Sequence, residues 1–161
     1  MLVRPANPED SAAWLKMRQA LWPEGASDHA FEIASYFAER VREPLIVLLA
    51  FDDEAKPVGF VELNIRNYAE GCDTDQVAYL EGWYVVPEAR QQGVGRALIE
   101  TAETWAREEG CSEFASDAII DNEISAAAHR ALGFTEVVQI RCFRKSLIEE
   151  RPEQPPIRER S

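Results

Sequence analysis

The stretch from Val85 to Arg96 has the composition of an anion-binding turn. A strand-like apolar run ends in a proline, and Gly93 and Gly95 stand where a helical pattern begins. The unpaired N–H groups and the positive dipole end of a helix N-terminus bind anions such as a pyrophosphate. Glycines let the backbone approach such a ligand closely, and Arg90 adds positive charge. The pattern indicates either a phosphate cradle or a strand-to-helix turn that binds no ligand.

Two acidic residues lie in or directly after strand-like runs. Glu81 is in the run before the turn, and Asp117 follows a later, shorter run of this kind. A carboxylate in such a position can accept a proton from a reacting group, directly or through one water. Glu81 could instead be an outward or salt-bridged strand residue, and Asp117 could simply form a turn.

Hydrophobic periodicity predicts the elements that would position these residues. We expect strands at Leu2–Pro5, Leu45–Phe51, Val58–Ile65, Tyr79–Val86 and Glu113–Ser116, and two short strands within Phe134–Lys145. We expect one helix ending near Leu21, others over Asp28–Arg42 and Gly93–Glu108, and a last one from Asp121 or Asn122 to Gly133. In the second helix, Phe31, Ala34, Tyr36, Phe37 and Val41 are candidate inward positions. This order indicates a mixed-sheet α/β or α+β domain.

Length and composition set the broad class. A chain of 161 residues fits one domain, which we place at residues 1–148, followed by a polar, proline-containing tail at 149–161. No apolar run is long enough to cross a bilayer and no secretory signal opens the chain, so we expect a cytoplasmic protein. Three widely spaced cysteines read as reduced thiols, with neither a metal nor a disulfide framework.

The net charge of −12 limits the partners. Such a surface repels nucleic acid and anionic membranes and attracts cationic molecules. The same acidity could also serve only to keep the protein in solution.

The turn resembles the acetyl-CoA loop of the GCN5-related N-acetyltransferase (GNAT) superfamily, (Arg or Gln)-x-x-Gly-x-(Gly or Ala). The segment Arg90-Gln91-Gln92-Gly93-Val94-Gly95 matches it in full, and Asn122 followed by Gly133-Phe134 has the spacing of a second cofactor-side motif. The resemblance implies a GNAT-like fold, with a mostly antiparallel central sheet, a V-shaped splay and flanking helices. It implies acetyl-CoA as co-substrate and no metal. The implied cofactor contacts are Trp83, Tyr84, Val85, Arg90, Gln91, Gln92, Gly93, Val94, Gly95, Arg96, Asn122 and His129.

Other segments are similar to bacterial aminoglycoside 6'-N-acetyltransferases. They are Tyr79-Leu80-Glu81-Gly82, Ala115-Ser116-Asp117 and Asn122-Glu123-Ile124-Ser125. This resemblance implies an enzyme of antibiotic resistance that transfers acetyl directly to the 6'-amine of an aminoglycoside, and it is typical of homodimers. It implies Glu81 and Asp117 as catalytic residues and Trp22, Tyr68, Glu81, Asp117 and Glu136 as substrate contacts.

Several alternatives remain open on the sequence alone. Glu136 stands two residues before Val138, where the family often has its acid. His129 occupies the position of a tyrosine that protonates the leaving thiolate in many members, or it is a packed helix histidine. Trp22 and Tyr68 contact the sugar or cover the core. The acceptor could be another amine, such as a polyamine or peptide N-terminus, or the chain could bind acyl-CoA without turnover.

Overall fold

Five strands form one mixed sheet in the computed structural model, which describes residues 1–24 and 26–148. The strands are β1 (Leu2–Pro5), β2 (Ile46–Phe51), β3 (Pro57–Arg66), β4 (Val77–Val85) and β5 (Phe114–Ser116). They lie in the order β1-β2-β3-β4-β5; β4 and β5 are parallel and the other neighbours are antiparallel. The helices are α1 (Ser11–Leu21), α2 (Ala26–Phe37), α3 (Val94–Glu108) and α4 (Glu123–Ala131).

The sheet is buried on both faces at its centre. On one face, Val47 and Phe60 pack against Trp14 of α1 and residues of α2. On the other face, Leu48 and Val61 pack against Leu98 of α3. The continuous apolar run of β2 reflects this double cover, whereas β3 alternates with polar residues after Val61.

The second helix ends earlier than the sequence predicts. It stops at Phe37, not at Arg42, and Glu39 adopts a left-handed backbone conformation with φ of 55° that a helix cannot contain. Ile33 and Ser35 take the buried positions. The expected inward positions Phe31, Ala34 and Val41 are therefore wrong, because all three are exposed, Phe31 to 72%, whereas Tyr36 and Phe37 are partly buried.

The two short strands expected within Phe134–Lys145 are absent from residues 134–148 of the structure. A strand needs a neighbour for its N–H and C=O groups, and β5 pairs only with β4 within the described residues. Phe134 still packs against Phe114 of β5, with ring centroids 5.4 Å apart. Beyond it the apolar side chains point outward, and Phe143 is 91% exposed. The tail from residue 149 lies outside the described part of the chain.

Candidate active site

Glu81 lies at a β-bulge between β3 and β4. Glu62 pairs with Gly82 and Leu63 pairs with Leu80, so Glu81 is the extra residue on β4. A bulge changes the direction in which a side chain points. Here it lets the Glu81 side chain reach Arg66, on the sheet face where Glu62 meets α1. The bulge therefore positions the predicted catalytic carboxylate.

Arg66, the last residue of β3, binds Glu81 through both carboxylate oxygens. Its Nε donates to Oε1 at 3.0 Å and its Nη2 donates to Oε2 at 2.6 Å. The guanidinium also lies over the ring of Tyr79, 3.5 Å from the centroid. The ion pair with Glu81 raises the pKa of Arg66 above its usual range. Glu81 is thus a salt-bridged strand residue, one of the two alternatives left open by the sequence.

Asp117 comes directly after β5, beyond the last β4–β5 pair, Leu80 with Ser116. The next register position on β4 is Glu81, so the two predicted catalytic acids stand at the same level of the sheet. Burial and the negative charge of Asp117 together raise the pKa of Tyr79 to about 12. Asp117 also contributes to the raised pKa of Arg66, after Glu81 itself. The negative charge of Asp117 therefore acts on both Tyr79 and Arg66.

Trp22 follows α1 directly and covers the sheet beside Glu81. A Cβ built on Gly82 would lie 2.5 Å from Cη2 of the Trp22 ring, so the indole lies against the backbone of Gly82. The carbonyl oxygen of Trp22 is 2.9 Å from Nε2 of His29, which connects this turn to α2. Trp22 therefore lies next to the residue that follows Glu81, and its role in substrate binding stays a prediction.

The other two predicted substrate residues are less closely connected to this group. Tyr68 lies in the loop after β3, two residues beyond Arg66, and its side chain is 65% exposed. Glu136 accepts a hydrogen bond from Nη2 of Arg130 at 2.8 Å and one from Gln139 at 3.0 Å. Among the described residues, neither Tyr68 nor Glu136 bonds to Trp22, Glu81 or Asp117, and their role in substrate binding stays a prediction.

A buried polar network supports the same face next to Trp22. The indole N–H of Trp14 donates to Oε1 of Glu62 at 2.9 Å, and Nε of Arg18 lies 2.8 Å from the same oxygen. Burial raises the pKa of Glu62 and the charge of Arg18 partly offsets this. The Arg18 guanidinium also lies 5.3 Å from the Trp22 ring centroid. This network ties α1, and with it Trp22, to β3.

The predicted anion cradle has the expected geometry. Gly93 precedes α3 with a left-handed φ of 85°, and no side chain caps the helix start. Gln91 is also left-handed, with φ of 60°, which folds the turn tightly. Arg90 donates from Nε to the carbonyl oxygen of Val85 at 3.0 Å, so its side chain closes the turn on one side. The first amides of α3 are left to bind an anion.

The remaining residues of the turn have distinct positions. Gln92 donates to the carbonyl oxygen of Glu88 at 2.7 Å, and Val94 is buried in the core. Arg96 is exposed, and it reaches the carbonyl oxygen of Ala131 at the end of α4, 3.4 Å away. Its charge therefore lies between the start of α3 and α4.

The edge of β4 beyond the bulge is free on one side. Trp83, Tyr84 and Val85 pair with β3, but the β4–β5 pairs stop at Leu80. The buried indole N–H of Trp83 has no hydrogen-bond partner among the described residues. The Trp83 ring lies against Gly95 of α3, where a Cβ would stand 2.9 Å from Cζ2. A free strand edge and an unpaired donor next to the cradle fit an extended ligand that carries its own acceptors.

His129 joins α4 to the end of β5. Its Nδ1 lies 2.7 Å from the carbonyl oxygen of Ser125, which can only accept, so Nδ1 carries the proton. Its Nε2 lies 2.9 Å from Oγ of Ser116, which itself lies 3.4 Å from the carbonyl oxygen of Leu80. The ring also packs on Trp83, with centroids 5.4 Å apart. These contacts of both ring nitrogens within the protein favour a positioning role.

Asn122 acts as the N-cap of α4. Its side-chain oxygen accepts a hydrogen bond from the Ser125 amide at 3.0 Å. The side chain thus stabilises the helix that carries His129, and its contact with a cofactor stays a prediction.

Two residues of this site, Glu62 and Arg66, were not predicted from the sequence. The signal that could have found them is the alternation Glu62, Asn64, Arg66 along β3, with apolar residues between. Alternation in a strand puts polar residues on one face, and an all-polar face of a central strand indicates a site. Glu62 and Asn64 are buried, which confirms that this polar face is not simply solvated.

Metal binding and membrane crossing find no support in residues 1–24 and 26–148. In this part of the chain, no group of three or more acidic, cysteine or histidine side chains could hold a metal ion. None of the helices described here has the length and apolar composition needed to cross a membrane.

Comparison with known proteins gives a consistent result. Residues 12–134 match the model of the "Acetyltransferase (GNAT) family". An aminoglycoside N(6')-acetyltransferase type 1 from Klebsiella aerogenes is 55% identical over 147 residues, which cover 91% of this chain and 97% of that protein. A protein of the same name from Stenotrophomonas maltophilia is 40% identical, over 90% of this chain and 93% of its own.

Solved structures agree with the fold. The apo crystal structure of the aminoglycoside antibiotic 6'-N-acetyltransferase AAC(6')-IG from Acinetobacter haemolyticus superposes with a TM-score of 0.84 at 38% identity, covering 92% of this chain and all of that one. The structure of AAC(6')-Iy in complex with the bisubstrate analog CoA-S-monomethyl-acetylneamine gives a TM-score of 0.82 at 33% identity, over 90% and 97% of the two chains.

Proposed function

The chain belongs to the acetyltransferase (GNAT) family, and we propose that it transfers the acetyl group of acetyl-CoA directly to the 6'-amine of an aminoglycoside. One observation carries this proposal: the bulged Glu81 stands where the free edge of β4 begins. The anion cradle lies on one side of this point, and on the other lies the acidic face, which we define by Glu81 and Asp117. The relatives of this name match nearly the whole chain, and one structural neighbour holds an analog that joins CoA to an aminoglycoside fragment.

The residues at the start of α3 and along the edge of β4 fit acetyl-CoA. The amides that open α3 suit its pyrophosphate, and Arg90 and Arg96 add charge at that end. The edge of Trp83, Tyr84 and Val85, with the unpaired indole N–H of Trp83, suits the amide groups of the pantetheine arm. When bound, acetyl-CoA supplies the activated acetyl group.

The acidic face would hold the acceptor. An aminoglycoside carries several ammonium groups, and the carboxylates of Glu81 and Asp117 attract them. Trp22 offers an aromatic surface for a sugar ring next to Gly82. Glu81 stands where the free edge of β4 begins, and it takes the proton that the amine nitrogen loses during acetyl transfer, directly or through one water. His129 orients this end of the site through Ser116 and Trp83.

A steady-state assay tests the proposal. With kanamycin and acetyl-CoA, we expect release of free CoA thiol and N-acetylated kanamycin modified at the 6'-position by mass spectrometry and NMR. A panel with a polyamine and a peptide N-terminus compares other amines. No turnover with any aminoglycoside contradicts the proposal, and CoA binding without turnover on any amine supports a binding module instead.

We further propose that the protein is a cytoplasmic homodimer in which a second copy covers the segment from Val137 to Ile148. Six apolar side chains of this segment are exposed: Val137, Val138, Ile140, Phe143, Leu147 and Ile148. The adjacent outer edge of β5 has no strand partner among the described residues. Such a surface next to a free strand edge is typical of a protein–protein interface. Light scattering should give twice the chain mass, and Phe143→Glu should give one chain mass.

A further inference from the structure

The predicted catalytic carboxylate is already paired with a cation of the chain itself. Arg66 bonds to both oxygens of Glu81, at 3.0 and 2.6 Å. The contact with Tyr79, with Cζ of Arg66 3.5 Å from the ring centroid, also holds this guanidinium in place. The pair is partly open to solvent, with Glu81 26% and Arg66 40% exposed. A bound acceptor would therefore meet a neutralised pair and not a bare carboxylate.

The positive charge of Arg66 weakens the binding of a polycation, but it can assist the reaction of the amine. Two bare carboxylates at Glu81 and Asp117 would favour the charged form of any amine beside them and raise its pKa. An ammonium has no lone pair and cannot attack. A fixed positive charge beside the amine has the opposite effect and favours the neutral nucleophile.

We propose that Arg66 is a positioning residue whose fixed charge offsets Glu81, so that the 6'-amine binds beside the pair in its neutral, reactive form. This inference rests on the proposed function. Asp117 stays available to bind the other ammonium groups of the acceptor, which do not react. The two acids therefore have different roles, since Glu81 with Arg66 serves the reacting amine and Asp117 serves affinity.

The other charged groups on this face are compatible with this division. Tyr79 stays neutral at physiological pH, since its pKa is about 12. Glu70 in the loop after β3 contributes to that shift as a smaller effect than Asp117 and Arg66. On the α1 side, Arg18 pairs with both Glu62 and Glu32. The Arg66–Glu81 pair therefore sets the local charge balance at the reacting amine.

The first test needs no variant. In the proposal, an acceptor that is mostly ammonium in solution releases a proton when it binds. Calorimetry of kanamycin binding to the CoA-bound enzyme at neutral pH, in two buffers of different ionisation enthalpy, should show net proton release. Binding with no proton change, or with proton uptake, would overturn the inference.

The second test changes the charge. Arg66→Met keeps an apolar stem over Tyr79 and removes the cation, whereas Arg66→Lys keeps the charge. In Arg66→Met, the midpoint of the rising limb of kcat against pH should move up by about one pH unit, and less proton should be released on binding. Arg66→Lys should keep the wild-type midpoint, and KM for acetyl-CoA should change in neither variant.

The outcomes separate the two proposals. If the wild-type enzyme acetylates no aminoglycoside, both the proposed function and this inference are wrong. If the wild type is active and Arg66→Met has the same midpoint of kcat against pH, the inference is wrong and the proposed function stands. Arg107→Met is the matched control, since Arg107 is exposed on α3 and pairs only with Glu103 among the described residues. If Arg66→Met does not fold, Arg66→Gln provides the same comparison.

Discussion

Gly82 lies directly under the indole of Trp22, and a Cβ at residue 82 would stand 2.5 Å from Cη2 of that ring. We expect Gly82→Ala to push the indole away from the acceptor face and to raise KM for the aminoglycoside by roughly tenfold, a change of about 1.4 kcal/mol. KM for acetyl-CoA should not change.

A double-mutant cycle with Trp22→Ala checks this explanation. Once the ring is absent, the added methyl group has nothing to displace, so Gly82→Ala should have little further effect. Equal effects of Gly82→Ala with and without Trp22 would contradict it.

The corresponding contact on the cofactor side joins Gly95 and Trp83. A Cβ on Gly95 would lie 2.9 Å from the Trp83 ring, so Gly95→Ala should move the indole. We expect CoA binding to weaken by roughly tenfold, or about 1.4 kcal/mol. Calorimetry measures this change. Gly93→Ala is the matched control for strain. No atom lies within 4 Å of its Cβ, but its φ of 85° should lower the free energy of unfolding by about 1 kcal/mol.

The two acids of the site should have different kinetic effects. Glu81→Gln removes the proton acceptor and should lower kcat by about 10² or more at unchanged KM for acetyl-CoA. Asp117→Asn should mainly raise KM for the aminoglycoside. Glu103→Gln, in the pair with Arg107 on α3, is the neutral control. Wild-type kinetics in both site variants would remove these assignments.

Arg18 should be important for stability. Arg18→Met leaves the charge of Glu62 buried without its partner and should cost about 3–5 kcal/mol of unfolding free energy. The exposed pair between Arg107 and Glu103 is the control, and Arg107→Met should cost at most about 0.5 kcal/mol. Denaturant unfolding measures both. Similar costs for the two variants would show that the buried network does not stabilise α1.

Asp10 should make stability depend on pH in acid. Hydrogen bonds from Arg4 at 2.7 and 3.1 Å, followed by one from the Asn7 amide at 2.7 Å, lower its pKa below the ordinary 3.8, although burial opposes them. The unfolded chain therefore takes up this proton at a higher pH than the folded chain. The stabilisation is complete above pH 3.8 and is lost as pH falls through the folded pKa.

Asp10→Asn tests this directly. At neutral pH it should cost about 1.5–3 kcal/mol of unfolding free energy. The difference from wild type should shrink as the pH falls below 3.8. Asp53→Asn is the control, because Asp53 pairs with the N-terminal amine at the surface and is 94% exposed. A pH-independent difference for Asp10→Asn would contradict the linkage.

The elements of the fold were predictable wherever local pattern decides the structure. The strand-to-helix turn at Gly93, the amphipathic α3 and the doubly buried β2 are all encoded in short stretches of sequence. The strands expected within Phe134–Lys145 were wrong because pairing depends on a neighbour that periodicity does not reveal. The early end of α2 depends on the backbone conformation of Glu39, which hydrophobic periodicity does not reveal either.

The residues of the site also differ in whether local sequence predicts them. The anion cradle could be proposed from residue types and spacing, whereas the candidate acids were singled out by the resemblance to aminoglycoside 6'-N-acetyltransferases. The ion pair between Arg66 and Glu81 could not, because it depends on the register of β3 against β4 and on a bulge that displaces one residue. The contact between Trp22 and Gly82 likewise joins parts of the chain that are distant in sequence. The roles of the predicted site residues stay predictions until the variants are measured.

The shortness of β5 has a consequence for the range of acceptors. Glu81 lies on a strand of nine residues whose other members pair with β3 on both sides of the bulge, whereas Asp117 follows a strand of three residues with three register pairs to β4. Sections of a sheet with few backbone bonds open at lower free energy, so amide protons of β5 should exchange with solvent faster than those of β3. We therefore expect the position of Asp117 to vary more than that of Glu81, which would let one site accept aminoglycosides of different size.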